Sequence, residues 1–194
     1  AEDGYELWLR YRLVSDDDRL TQYRTEIRQI VFDAASPTLR AAREELLLGL
    51  DGLLGTPNPL AEQAAHKGTL LVGTPHSSSM IAALDLQQEL ATSGGEGYII
   101  VRTRLAENEG IVITANSDIG VLYGVFHFLR HLQTQRPLDA LHIISAPRIQ
   151  QRMLNHWDNL DRTIERGYAG FSLWDWHKLP DYIDPRYKDY ARAN

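Results

Sequence analysis

From Glu6 to Val14 bulky and polar residues alternate, placing Leu7, Leu9, Tyr11 and Leu13 on one face, the period of a half-buried strand. A second β-rich stretch covers Arg28 to Phe32, after which Ser36-Pro37 supplies an N-cap followed by proline at the first helical position. Leu39, Ala42, Leu46, Leu50 and Leu53 then recur at steps of three and four, predicting a helix that Gly55, Pro57 and Pro59 close. Gly68 to Pro75 is a short apolar run bounded by turn residues, a buried strand, and Ser77 to Leu90 reads as the helix after it, ended by Gly94-Gly95. Tyr98 to Arg102 and Gly110 to Ala115, joined through Ala106 to Glu109, predict an antiparallel hairpin. Ser117 caps a helix from Asp118 to Gln133 that is apolar on more than one face and so belongs against the sheet. Leu141 to Ile144 completes the strands of this part.

Strands interrupted by helices, with at least one hairpin, define a two-layer α/β domain with a mixed sheet over residues 1–146. Pro147 marks the connection to residues 147–194, which behave differently. There Arg152-Met153-Leu154-Asn155 reads as a short strand running straight into polar and aromatic residues, as a (β/α)8 barrel strand meets its functional loop, and a helix follows from Pro185 to Arg192. One βα unit cannot close such a barrel. The sequence has neither an internal repeat nor a low-complexity segment.

Composition narrows the function classes. With 43% hydrophobic and 24% charged residues well mixed, the chain is globular, and its formal charge of −6 without a basic stripe argues against nucleic-acid binding. The acidic run Asp16-Asp17-Asp18 reads as a solvated turn. Cysteine is absent, which excludes disulfides and thiolate chemistry and leaves the compartment open. No apolar run approaches the ~20 residues of a membrane span. The sequence begins at Ala1, not methionine, so removal of an upstream signal or anchor is an open expectation.

Several candidate motifs resolve to structure. Of seven histidines only His127 and His131 share helical i, i+4 spacing, with no carboxylate in an HExxH arrangement, so no metal and no cofactor are expected. One of the pair reads as partly buried and hydrogen-bonded, the other as an end-of-helix residue near the negative dipole; His66, His76 and His142 have less context still. Ser77-Ser78-Ser79 lacks a nucleophile elbow or a Walker pattern and reads as capping. Gly94, Gly95 and Gly97 precede a strand and mark a turn, not a dinucleotide loop.

Chemistry concentrates in Asn155 to Trp176, NHWDNLDRTIERGYAGFSLWDW, which holds three of the four tryptophans beside Asp158, Asn159, Asp161, Arg162, Glu165, Arg166 and Asp175. A sugar presents apolar C–H faces and a hydroxyl rim, so its site wants flat aromatic platforms ringed by carboxylates, amides and arginines. The same composition also suits a loop that packs tryptophans beneath a barrel and ties them down with salt bridges.

The run Arg152 to Asn159 (RMLNHWDN) with Ile164 to Gly170 (IERGYAG) resembles the signature of family 67 α-glucuronidases. Gly4-Tyr5-Glu6 with Trp8 to Tyr11, and Asp118 to Arg130, resemble earlier parts of the same family, so the likeness extends over essentially the whole chain; the second of these segments also resembles accessory domains of other exo-glycosidases. The resemblance implies removal of terminal (4-O-methyl-)glucuronic acid from xylo-oligosaccharides by inversion, which needs a general acid and a base set far enough apart to admit water. In the family those carboxylates lie on later barrel strands, so no catalytic residue is transferred onto this chain, neither Asp158, Asp161 nor Glu165. The transferred substrate-binding set is Trp157 as an aromatic wall, Asp158 and Asn159 beside it, and Arg162 and Arg166 as forks for a uronate carboxylate unless they pair with Glu165 or Asp161. The partner is then a glucuronic-acid-substituted xylo-oligosaccharide, and a homodimer of the full-length enzyme stays open. Two other readings compete with an inactive N-terminal portion: a carbohydrate-binding or interaction module without hydrolase activity, and one piece of a multi-chain assembly.

Overall fold

The computed structural model describes residues 3–64 and 67–194; Ala1, Glu2, Ala65 and His66 lie outside the described residues, and with them the readings at Ala1 and His66. The chain divides into two compact units, residues 10–148 and a second formed by residues 3–9 together with 149–194.

The larger unit is built around a five-stranded mixed sheet. Its elements in order are α1 (Asp17–Glu26), β1 (Gln29–Phe32), α2 (Pro37–Leu54), β2 (Thr69–Gly73), α3 (Ser79–Ala82), α4 (Gln87–Ser93), β3 (Tyr98–Leu105), β4 (Asn108–Thr114), α5 (Asp118–Gln133) and β5 (His142–Ser145). The strands lie in the order β1-β2-β4-β3-β5, parallel across the first three and antiparallel where β3 meets β4 and β5. Side chains alternate between the two faces of a strand. Val31, Leu71, Val112, Ile99 and Val101 therefore share one face, where they pack with Ile81, Leu86 and Leu90 of the short helical segments. The other face carries α5, with α2 against it: a Cβ on Gly124 would fall 2.8 Å from Ile113 Cγ2, and one on Gly49 2.5 Å from Leu129 Cδ2. The helix layer of the two-layer reading is thus α2 with α5, and α3 and α4 add partial cover on the second face.

Local signals account for the best-formed elements. Ser36 caps α2 by accepting from Leu39 N–H at 3.1 Å, and Leu39, Ala42, Leu46, Leu50 and Leu53 are all buried along it. Gly55 ends the helix with φ of 65°, a left-handed conformation that costs glycine little. Ser117 caps α5, and Ser78 caps α3, which supports capping for that serine run. His127 is half-buried and bonded to the Tyr98 hydroxyl at 2.8 Å, whereas His131 in the last turn of α5 meets the Pro137 carbonyl at 3.0 Å.

Four local expectations are corrected. Residues 6–14 form turns and irregular chain instead of a strand: Leu7 and Tyr11 have φ of 49° and 40°, and Leu7 and Leu13 are exposed while Leu9, Tyr11 and Val14 are buried. Asp16 to Asp18 is not a free turn but the start of α1, with Asp16 accepting from Arg19 N–H at 2.9 Å and Asp17 and Asp18 at the positive end of the helix dipole. The helix expected from Ser77 to Leu90 breaks between Ala83 and Leu86, because two short segments place Ile81, Leu86 and Leu90 on the sheet where one straight helix does not follow it. Residues 152–155 form no strand: among the described residues no ladder or bridge includes them, and a strand without a neighbouring strand leaves its amides to water.

Among its described residues the smaller unit has one helix, α6 (Arg186–Ala193), as expected from the sequence. Residues 3–9 belong to it through the Tyr5 hydroxyl, which donates to Asp189 Oδ2 at 2.9 Å, and Trp8 Nε1–H, which donates to the Ala193 carbonyl at 3.0 Å.

Candidate functional site

The motif-rich loop of the smaller unit is held by a compact set of backbone and side-chain bonds. Asp158 and Ile164 form an antiparallel bridge, as do Thr163 and Phe171, so residues 157–172 fold back on themselves twice. Glu165 N–H donates to the Trp157 carbonyl at 2.7 Å, Asn159 N–H to Thr163 at 2.8 Å and Ile164 N–H to Gly170 at 3.1 Å. Two reversals in so few residues require unusual backbone: Arg162 and Glu165 have φ of 73° and 54°, and Gly167 and Gly170 relieve two further positions at 92° and 87°. Asn159 and Asp161 are the local staples. The Asn159 amide donates to Thr163 Oγ1 at 2.9 Å and to the Glu165 carbonyl at 2.8 Å. Asp161 accepts from Thr163 Oγ1 at 2.6 Å and its N–H at 2.9 Å, bonds that hold its carboxyl below the usual range.

Beneath the loop lies an aromatic cluster. Trp174 packs at 4.4 Å from Tyr187 between ring centroids, stacks at 6.3 Å on Trp176, and meets His156 and Tyr190 edge-on at 5.8 and 6.3 Å. Such tilted and edge-to-face pairs each contribute about 0.5–1.5 kcal/mol beyond area burial. Above it opens a cavity of about 510 Å³, lined by Asn155, His156, Trp157, Asp158, Ile164, Glu165, Ser172, Leu173, Trp174 and Tyr190. That is the size and mixed lining of a small-ligand site.

The sequence-derived residues separate in space. Trp157 and Asp158 line the cavity, and Trp157 is 63% exposed, free to present its ring. Asn159 is not in the lining and is spent on loop closure. Arg162 points away: its guanidinium lies 3.4 Å from Asp175 Oδ2 and donates to the Ser172 carbonyl at 3.2 Å, while Lys178 meets the same Asp175 oxygen at 3.1 Å. Arg166 is exposed and outside the lining, with no ion pair to it among the described residues. Glu165 and Asp161, the acidic alternatives for the arginines, pair with neither and bond instead to Tyr168 and Thr163. Residues that sequence reasoning did not single out complete the wall: His156, Ser172, Leu173 and Tyr190. His156 stood inside the HWDN motif and was the legible one; Tyr190 lies on α6, and only folding brings it there.

Among the described residues no group of three or more histidine, aspartate or glutamate side chains could hold a metal ion, and no helix is long and apolar enough to cross a membrane. A second cavity, about 660 Å³ in the larger unit, has Arg102, Arg104, Glu109 and His142 in its lining but no aromatic platform, and Arg102 already pairs with Glu26 and Glu109, both at 2.8 Å.

Residues 7–128 match the glycosyl hydrolase family 67 N-terminus and residues 131–194 the glycosyl hydrolase family 67 middle domain. A probable alpha-glucuronidase A of Aspergillus oryzae is 29% identical over 99% of this chain and 22% of its own length; alpha-glucuronidase A of Aspergillus tubingensis is 27% identical over 90% and 20%. The chain thus spans about a fifth of the length of these curated relatives. Among solved structures, a family GH115 4-O-methyl-alpha-glucuronidase with specificity for decorated arabinogalactans superposes with a TM-score of 0.44 at 16% identity, over 56% of this chain and 14% of that one.

Proposed function

The chain belongs to glycosyl hydrolase family 67, and from that premise we propose that it forms the accessory domain and first catalytic-domain segment of an α-glucuronidase acting on glucuronic-acid-substituted xylo-oligosaccharides. The observation that carries the reading is the cavity on the HWDN-to-ERGYAG loop, where the indoles of Trp157 and Trp174 and the Tyr190 ring stand beside the carboxylates of Asp158 and Glu165. Aromatic rings take the C–H face of a pyranose, and carboxylates accept from its hydroxyls.

Charge assigns the orientation of the bound sugar. The lining has two carboxylates and no lysine or arginine, so a uronate carboxylate placed here meets repulsion, and the hydroxyl face of the ring is the part this wall addresses. The uronate carboxylate is then read by cations outside this wall, and Arg162, engaged with Asp175, does not supply one. Hydrolysis with inversion needs an acid and a base on opposite sides of the scissile bond. We assign neither role to these 194 residues; their part is to bind and exclude water. The division into an accessory domain over residues 1–146 and the start of a (β/α)8 barrel over 147–194 belongs to the same proposal.

The test uses aldouronic acids as substrate. The full-length polypeptide releases (4-O-methyl-)glucuronic acid, the 194-residue chain does not, and Trp157→Ala in the full-length protein raises KM at least about tenfold through the lost platform. Turnover by the 194-residue chain at an enzyme-like rate refutes the assignment of acid and base elsewhere. An unchanged KM in Trp157→Ala refutes the cavity as the sugar site.

A further inference from the structure

Among the described residues Ser172 is the one buried polar residue of the smaller unit, with 5% of its surface exposed, and every polar group it has near the cavity is engaged. Its hydroxyl donates to Asp158 Oδ2 and accepts from the Trp174 backbone N–H at 3.0 Å. Its backbone N–H donates to the Arg162 carbonyl at 2.8 Å, and its own carbonyl accepts from the Arg162 guanidinium at 3.2 Å. Ser172 therefore ties the HWDN segment and the segment carrying Trp174, which both line the cavity, to the turn at Arg162.

We infer that Ser172 is a positioning residue for sugar binding: its hydroxyl holds one carboxylate oxygen of Asp158 so that the second is presented to a hydroxyl of the bound pyranose. This rests on the reading of the cavity as the sugar site. A carboxylate offers two oxygens and about four lone-pair directions, and a free aspartate turns about its side-chain torsions. Asp158 Oδ2 has Ser172 as its partner, and no other hydrogen bond or ion pair to Asp158 is present among the described residues. With one oxygen anchored from the buried side, the other is oriented without a cation competing for it. The hydroxyl that does this is the same group that fixes the Trp174 amide, so the carboxylate and the aromatic floor are set by one atom. Ser172 does not touch the reacting atoms; it acts through Asp158.

The experiment is a double-mutant cycle on aldouronic acid hydrolysis by the full-length enzyme. Ser172→Ala is expected to raise KM about tenfold with kcat within about twofold, as loss of a charge-assisted bond that serves binding alone. In an Asp158→Ala background the same substitution changes KM by less than about twofold, because the carboxylate it positions is gone. Ser172→Cys, close in volume but a weak donor, gives a KM between those of the parent and Ser172→Ala, which keeps the test open if the alanine variant folds poorly. Equal factors in both backgrounds, a cysteine variant as impaired as the alanine one, or a fall in kcat at constant KM overturns the inference. Trp157→Ala separates the two levels: if it raises KM while the cycle is additive, only the role of Ser172 fails, and if it leaves KM unchanged the sugar site itself is elsewhere.

Discussion

Three glycines within four positions, Gly94, Gly95 and Gly97, sit in one turn yet face three different physical situations, which makes alanine substitution a test of the fold. A Cβ on Gly97 would lie 2.1 Å from the Ser93 carbonyl oxygen and 2.6 Å from that of Ser145, so it meets α4 on one side and β5 on the other. Both obstacles are backbone, and opening the contact to van der Waals distance moves an element by about 1 Å; overpacking of this kind costs about 1–3 kcal/mol. Alanine also restricts the unfolded chain, which returns about 0.4–1 kcal/mol, so Gly97→Ala is expected to lose about 1–2 kcal/mol. Gly94 has open space around its Cβ position but φ of 70° with ψ of −164°, a region in which L-residues are strained by about 1–3 kcal/mol. Gly95 has open space and no left-handed φ, so Gly95→Ala is neutral or gains about 0.4–1 kcal/mol. Urea unfolding of the purified chain followed by far-UV circular dichroism ranks the three variants at constant m-value. If Gly97→Ala is as stable as the parent, or Gly95→Ala loses as much as Gly97→Ala, the apposition of α4, β3 and β5 described here is wrong.

Burial, then the neighbouring charges of His131, Arg130 and Arg136, lower the His127 pKa below its ordinary value of 6.5. The unfolded chain then takes the proton first, so this contribution is complete above pH 6.5 and is lost as pH falls through the lower folded pKa; urea unfolding between pH 7.5 and 5.5 should show the slope flatten in His127→Gln, and an unchanged slope sinks the attribution. Asp184 is held at about 2 by hydrogen bonds from Arg186, at 2.7 Å from Nη2 to Oδ2, so Arg186→Ala should return its NMR titration midpoint toward 3.8. Ser117→Ala removes the hydroxyl that accepts from Gly120 N–H and donates to the Gly95 carbonyl and should cost about 0.5–2 kcal/mol in thermal or urea unfolding, whereas Ser117→Asp, which restores the acceptor alone, should recover only part of it.

What the sequence determined by itself is what neighbours along the chain decide. The extents of α2 and α5 follow from capping serines, apolar steps of three and four, and the glycine at 55, all within a few residues of one another. The β3–β4 hairpin and the short apolar strand β2 were legible for the same reason, as was the concentration of aromatic, acidic and amide side chains in NHWDNLDRTIERGYAGFSLWDW. Tertiary structure decided the rest. The alternation in residues 6–14 matches a strand, but a strand exists only where a neighbouring strand completes its ladder, and among the described residues no strand or bridge includes residues 6–14 or 152–155. Partner choice among charges is also non-local: Arg162 has acidic residues at 161 and 165 beside it in sequence, yet the fold turns it to Asp175. The cavity on the HWDN loop unites Trp157 with Tyr190, 33 residues away by their numbers, and sets Asp158 against Ser172. Periodicity carries no information about such meetings, because they depend on where two reversals of the backbone bring side chains that are distant along the chain.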